Sequence, residues 1–98
     1  MPTYLSFYTL TDQGAKTIKD APGRLEAASK AAERMGGKVL GIYVCQSGEY
    51  DYVSISEMPS DEAVKVFTMA LEALGNVKVK GTKAYTRAEF ADLVAKLP

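Results

Sequence analysis

The spacing of hydrophobic and polar positions alternates between a strand period and a helix period along the chain. Thr3 to Thr11 reads TYLSFYTLT, rich in aromatic and β-branched residues, which predicts a strand. Asp12-Gln13-Gly14 breaks it, and Ala15 to Ile18 fits a short helical turn ahead of Asp20-Ala21-Pro22-Gly23. From Arg24 the apolar residues Leu25, Ala28, Ala32 and Met35 recur at helical spacing and make one stripe. Gly36-Gly37 ends that helix. Lys38 to Cys45 returns to period two, with Leu40, Ile42 and Val44 on one face and Val39, Tyr43 and Cys45 on the other. Gln46-Ser47-Gly48-Glu49 reads as a hairpin turn into a third strand, Tyr50 to Glu57. Ser60 is a fitting N-cap for a second long helix, and Asp61 and Glu62 suit the positive end of its dipole. Its expected buried stripe is Ala63, Phe67, Ala70, Leu71 and Leu74, and Gly75 closes it. Asn76 to Tyr85 is the fourth strand. Thr86-Arg87-Ala88-Glu89 is a capping box opening a last helix, with Phe90, Leu93, Val94 and Leu97 on one side.

The order strand, helix, strand, strand, helix, strand, helix predicts an α+β, ferredoxin-like βαββαβ domain with an added C-terminal helix, a single domain over residues 1–98. The expected sheet is antiparallel with order 4-1-3-2, and right-handed crossovers put both long helices on one face. The other face is left open. Alternation puts Tyr8, Tyr43, Tyr52 and Ser54 on that open face, with Ser6 nearby and Tyr4 at its edge. It puts Leu5, Phe7, Leu40, Ile42, Val53 and Ile55 against the helices. Tyrosines with small hydroxylated neighbours suit two roles. They can line a ligand cavity that is apolar in its walls and polar at a few points. They can equally fill an interface, where tyrosine is enriched. A face so apolar is poorly suited to full solvation, so a homodimer is expected.

Composition narrows the function classes. Hydrophobic residues are 47% and charged residues 24% of the 98, ordinary for a globular protein. The net charge is zero, which lowers the expectation of nucleic acid or an anionic membrane as a partner. No apolar run approaches a bilayer span, and Met1-Pro2-Thr3-Tyr4 carries no basic leader, so a cytoplasmic location is expected. There is no histidine, which removes the commonest general base, the commonest metal ligand and any Ser-His-Asp triad. Cys45 is the only cysteine, so no internal disulfide can form, and it reads as a small buried residue rather than a nucleophile. No metal site and no cofactor are expected.

Two acidic residues and one basic run remain. Asp51 and Glu57 share the parity of Val53 and Ile55. Asp51 is the candidate base if burial raises its pKa, and otherwise a turn acid bonding amides of the Gly48 turn. Lys78, Lys80, Lys83 and Arg87 form an anion patch or, the stronger reading, guard an edge strand against aggregation. Arg24 at a helix start invites a carboxylate or anion partner.

The Gly48-x-Tyr50-Asp51 turn, together with Thr11 to Gly14, Pro22-Gly23-Arg24, Gly36-Gly37, Glu57-x-Pro59, Gly75 and Tyr85 to Phe90, resembles the GYD-domain family of small bacterial and archaeal proteins over nearly the whole chain. The resemblance implies a ferredoxin-like domain of the dimeric α/β-barrel kind, in which two sheets pack face to face. The wider superfamily includes cofactor-independent monooxygenases, muconolactone isomerase, chlorite dismutase and stress-responsive barrels. Several of these use histidine, so their mechanisms do not transfer. The preferred reading is a homodimeric binding or interaction module, not an enzyme, with an apolar-aromatic cavity between packed sheets for a possible small-molecule ligand. The alternative is a cofactor-independent monooxygenase- or isomerase-like enzyme for a small aromatic or enolisable substrate. A third reading builds larger assemblies through the edge strands.

Overall fold

The computed structural model describes residues 1–98. Strand β1 spans Thr3–Leu10, β2 Lys38–Val44, β3 Tyr52–Glu57 and β4 Val77–Ala84. They form one antiparallel sheet in the order β2-β3-β1-β4, the expected ferredoxin-like order seen from its other edge. The helices are α1, Asp12–Lys16; α2, Ala21–Arg34; α3, Asp61–Ala73; and α4, Arg87–Ala95, with one 3-10 turn at Ile18–Asp20. None is long and apolar enough to cross a membrane.

The helix ends follow from local chemistry. Ser60 Oγ accepts from the Ala63 N–H at α3, and Thr86 and Glu89 form the complete capping box at α4. The Thr86 amide, donating to the Glu89 carboxylate, holds that carboxyl below its usual range. Two starts differ from expectation. Thr11 leaves the strand to cap α1, accepting from the Gly14 N–H, so Asp12 to Gly14 is helix rather than break. Helix α2 starts at Ala21, because Pro22 and Gly23 fit the first turn, where no intrahelical amide is needed.

Helices α2 and α3 cover one sheet face. Tyr4, Ala32 and Met58 are buried together, with Met35, Val39, Ala63, Val64 and Phe67 packed around them. Leu74, expected in the buried stripe of α3, is 66% exposed. The faces of the sheet are largely the reverse of the sequence expectation. Tyr4, Tyr8, Tyr52 and Ser54 are buried beneath the helices. The opposite parity carries Leu5, Phe7, Val53 and Ile55, which are half-buried. The cause lies in the helices. The inner side of α2 is largely alanine, Ala21, Ala28 and Ala32, and small residues leave room for large tyrosines from the sheet. Two of the three buried phenols also have a side-chain partner: Tyr8 Oη and Ser54 Oγ lie 2.9 Å apart, and Tyr4 donates to Asp61. On β2 a register shift between Val39 and Gly41 interrupts alternation, leaving Leu40 49% exposed. Beyond the bulge Ile42 pairs with Ser54 and faces the helices, and Tyr43 pairs with Val53 and faces away.

Candidate functional site

The Gly48 turn is built to fasten the β2–β3 hairpin to β1. Gly48 has φ of 100°, a left-handed conformation that suits glycine. The chain then returns so that the Cys45 N–H donates to the Asp51 carbonyl and the Asp51 N–H donates to the Tyr8 carbonyl, both at 2.8 Å. The Asp51 carboxylate accepts from the Leu10 N–H at 2.8 Å, not from the Gly48 turn. It thereby satisfies an amide at the end of β1. The Tyr50 ring packs over Phe7 with centroids 5.1 Å apart. The motif is therefore a clamp: Tyr50 holds the open face of β1, and Asp51 holds its C-terminal end. Asp51→Asn keeps an acceptor oxygen and should cost about 1 kcal/mol or less. Asp51→Ala strands the Leu10 amide and should cost about 1–3 kcal/mol in urea denaturation. Equal losses for the two variants would contradict the clamp.

The four tyrosine and serine positions expected to line one site do not come together. Tyr8, Tyr52 and Ser54 form a cluster under α2, with the Tyr8 and Tyr52 ring centroids 6.3 Å apart. Only about 60 Å³ of free space remains beside them, among Ala21, Leu25, Ala28 and Leu71. Tyr43 stands on the opposite face, 62% exposed. The open face is instead an aliphatic and aromatic patch of Leu5, Phe7, Val53, Ile55 and Tyr43, flanked along β4 by exposed Lys78 and Lys80. The missed signal was the alanine stripe of α2, which calls for large side chains opposite it.

A second surface lies between α3 and β4. A groove of about 490 Å³ is lined by Tyr4, Ser6, Asp61, Thr68 and Thr82, with Lys65 and Lys83 at its sides. The hydrogen bond to Asp61, reinforced by burial and by the carboxylate's charge, pushes the Tyr4 phenol up to about 12. Proton binding by Tyr4 is thus tighter in the folded chain than in the unfolded chain, where a phenol titrates near 10. Its contribution to stability is complete below about pH 10 and is lost as pH rises towards about 12. The stability difference between wild type and Tyr4→Phe should accordingly shrink across that interval; a difference independent of pH would remove Asp61 as the cause.

A third depression, of about 440 Å³, runs between α2 and α3 over Ala27, Ala31, Phe67 and Ala70, with Arg24 and Arg34 at its rim. Arg24 has no anion partner. It donates to the Thr17 and Gly14 carbonyl oxygens at 3.0 and 3.2 Å, tying α2 to the end of α1. No group of three or more acidic or cysteine side chains is placed to hold a metal ion.

The model of the GYD domain matches residues 4–94. The chain is also 34% identical over 98 residues to a protein of Thermus thermophilus, the glutamine synthetase and cystathionine beta-lyase binding protein, covering 99% of each.

Proposed function

The chain belongs to the GYD domain family, and from that premise we propose that it is a homodimeric docking module that binds metabolic enzymes and performs no chemistry of its own. The observation that carries this reading is the uncovered sheet face. Leu5, Phe7, Val53, Ile55 and Tyr43 form a continuous apolar patch with no helix over it. Face-to-face packing of two such sheets removes it from water at roughly 25 cal/mol per Å² of apolar surface. The polar tyrosine–serine cluster points away from that interface, so the space between the sheets is dry packing rather than a ligand cavity. Dimerisation in this manner turns both helix layers outward. Each then presents the α2–α3 depression, whose alanine floor and Arg34 at the rim suit an apolar segment with an acidic flank.

The similarity to the Thermus protein makes glutamine synthetase and cystathionine β-lyase the first partners to test. Sedimentation should show a dimer at micromolar concentration, and Ile55→Glu should convert it to a folded monomer. Surface plasmon resonance should show binding of at least one of the two enzymes from the same organism. Ala70→Glu, on the floor of the depression, should weaken that binding at least about tenfold, about 1.4 kcal/mol, and leave the dimer intact. A monomeric wild type, or no binding of either enzyme, would overturn the corresponding half of the proposal.

A further inference from the structure

The groove between α3 and β4 holds charges that the chain itself leaves unpaired. Its size follows from two small residues. Ser6 pairs with Gly81 across β1 and β4, and the flanking pairs of the same parity are Tyr4 with Lys83 and Tyr8 with Val79. The smallest pair lies between the larger ones, and about 490 Å³ stays open beside α3. Glycine inside a strand is a position where another group can come close to the backbone. Strand β4 is also an edge strand. The Val79 N–H points off that edge, to a Glu72 carboxylate oxygen at 3.1 Å, and alternation along the strand turns the Gly81 N–H the same way.

The charges stand around that opening. Asp61, Lys65 and Thr68 follow one another at i, i+4 and i+7 on the side of α3 that borders the groove. An acid four residues before a lysine is placed to pair with it along a helix. Here it does not: the chain's one ion pair is Lys30 with Glu26. The buried Tyr4 donates its hydroxyl to Asp61 instead and holds that carboxylate at the groove wall. Lys65 is left without an acid. Lys83 has none within ion-pair distance either; it lends charge to Glu89, whose carboxylate accepts from the Thr86 amide. One anion and two cations therefore border one opening, which the Ser6, Thr68 and Thr82 side chains also line.

We propose that this groove binds a free α-amino acid with an uncharged polar side chain, its ammonium group on Asp61 and its carboxylate on Lys65 and Lys83. The ligand chemistry follows from the pattern of signs. A simple anion meets repulsion from Asp61, and a simple cation meets it from both lysines; a dipolar molecule satisfies all three. The Gly81 amide adds a donor for the carboxylate. The three hydroxyls both donate and accept, which suits an amide or hydroxyl side chain. The groove lies between α3 and β4 of one chain, apart from the open sheet face and from the α2–α3 depression. It therefore depends on neither the dimer nor the enzyme partners.

Isothermal titration calorimetry of the full chain with L-serine, L-threonine, L-asparagine and L-glutamine tests this. At least one should bind with a Kd below about 1 mM. The same molecule without its α-amino group, and the same molecule as its α-carboxamide, should each bind at least about tenfold more weakly. Asp61→Asn should remove the first difference, and Lys65→Gln/Lys83→Gln the second. All three side chains are exposed, and asparagine keeps an acceptor for Tyr4, so the variants should retain the wild-type far-ultraviolet spectrum. Binding should also persist in Ile55→Glu, whatever the oligomeric state. Absence of binding for all four amino acids at about 10 mM would overturn the site. A deaminated analogue that binds as tightly would reduce the groove to an anion patch and overturn the proposal. Binding unchanged in the Asp61 and lysine variants, or lost only in Ile55→Glu, would place the ligand elsewhere and overturn it equally.

Discussion

Tyr52→Ala is expected to destabilise the folded chain by about 3–5 kcal/mol, the cost of removing a buried aromatic ring. Tyr52 is 5% exposed, and its ring packs beside Tyr8 under the inner face of α2. Alanine there leaves a void that the alanine side of α2 cannot fill. A loss of that size is a large share of the roughly 5–15 kcal/mol that holds a domain together. Tyr43→Ala is the matched comparison, the same residue type one strand away but on the open face and 62% exposed. Its effect should be confined to the part of stability that depends on protein concentration, since that part reports the proposed dimer. Urea denaturation at two protein concentrations separates the cases. A Tyr52→Ala loss that vanished on dilution would return Tyr52 to the interface and reverse the face assignment.

That contrast marks what the sequence could and could not reveal. The element order was legible because each boundary carries its own chemistry: Ser60 and Thr86 as caps, and a glycine after each long helix. The ferredoxin-like sheet order followed from the order of elements. The faces did not follow, because a strand offers two alternating sets and a shift of one residue exchanges them all. Here both sets are apolar. Leu5, Phe7, Val53 and Ile55 look like a core, and Tyr4, Tyr8 and Tyr52 look like a site. The decision was made by the width of the side chains on α2, a tertiary fact. On β2 the bulge at Leu40 broke the alternation, so Tyr43 ended on the open face while Tyr8 and Tyr52 did not. Asp51 is a structural acceptor, as a turn acid would be. Its partner, however, is Leu10, 41 positions away and outside the reach of turn chemistry.

Helix α1 was hidden for a related reason, and it supplies the second large effect. Gly14 looks like a strand breaker, yet it is buried within α1. A Cβ placed there would lie 2.2 Å from the Asn76 carbonyl oxygen and 3.0 Å from a Leu10 methyl carbon. The carbonyl has no easy retreat, since it accepts from the Thr11 N–H at 3.0 Å, while Thr11 Oγ1 donates to the Gly75 carbonyl at 2.6 Å. Glycine at position 14 therefore lets α1 seat against the start of β4 and tie that strand to the end of β1. Gly14→Ala should cost about 3 kcal/mol, combining overpacking with loss of the Thr11–Asn76 hydrogen bond. For a domain of this size that lowers the melting temperature by at least about 10 °C. Gly23 is the internal control. A Cβ there meets nothing within 4 Å, and the residue sits in the first turn of α2. Gly23→Ala should stabilise the chain by about 0.4–1 kcal/mol through the unfolded state and helix propensity. Calorimetry of the two variants at one protein concentration should thus move the melting temperature in opposite directions. A neutral Gly14→Ala would show that α1 can lift from β4 without cost and would remove the seat from the account of the fold.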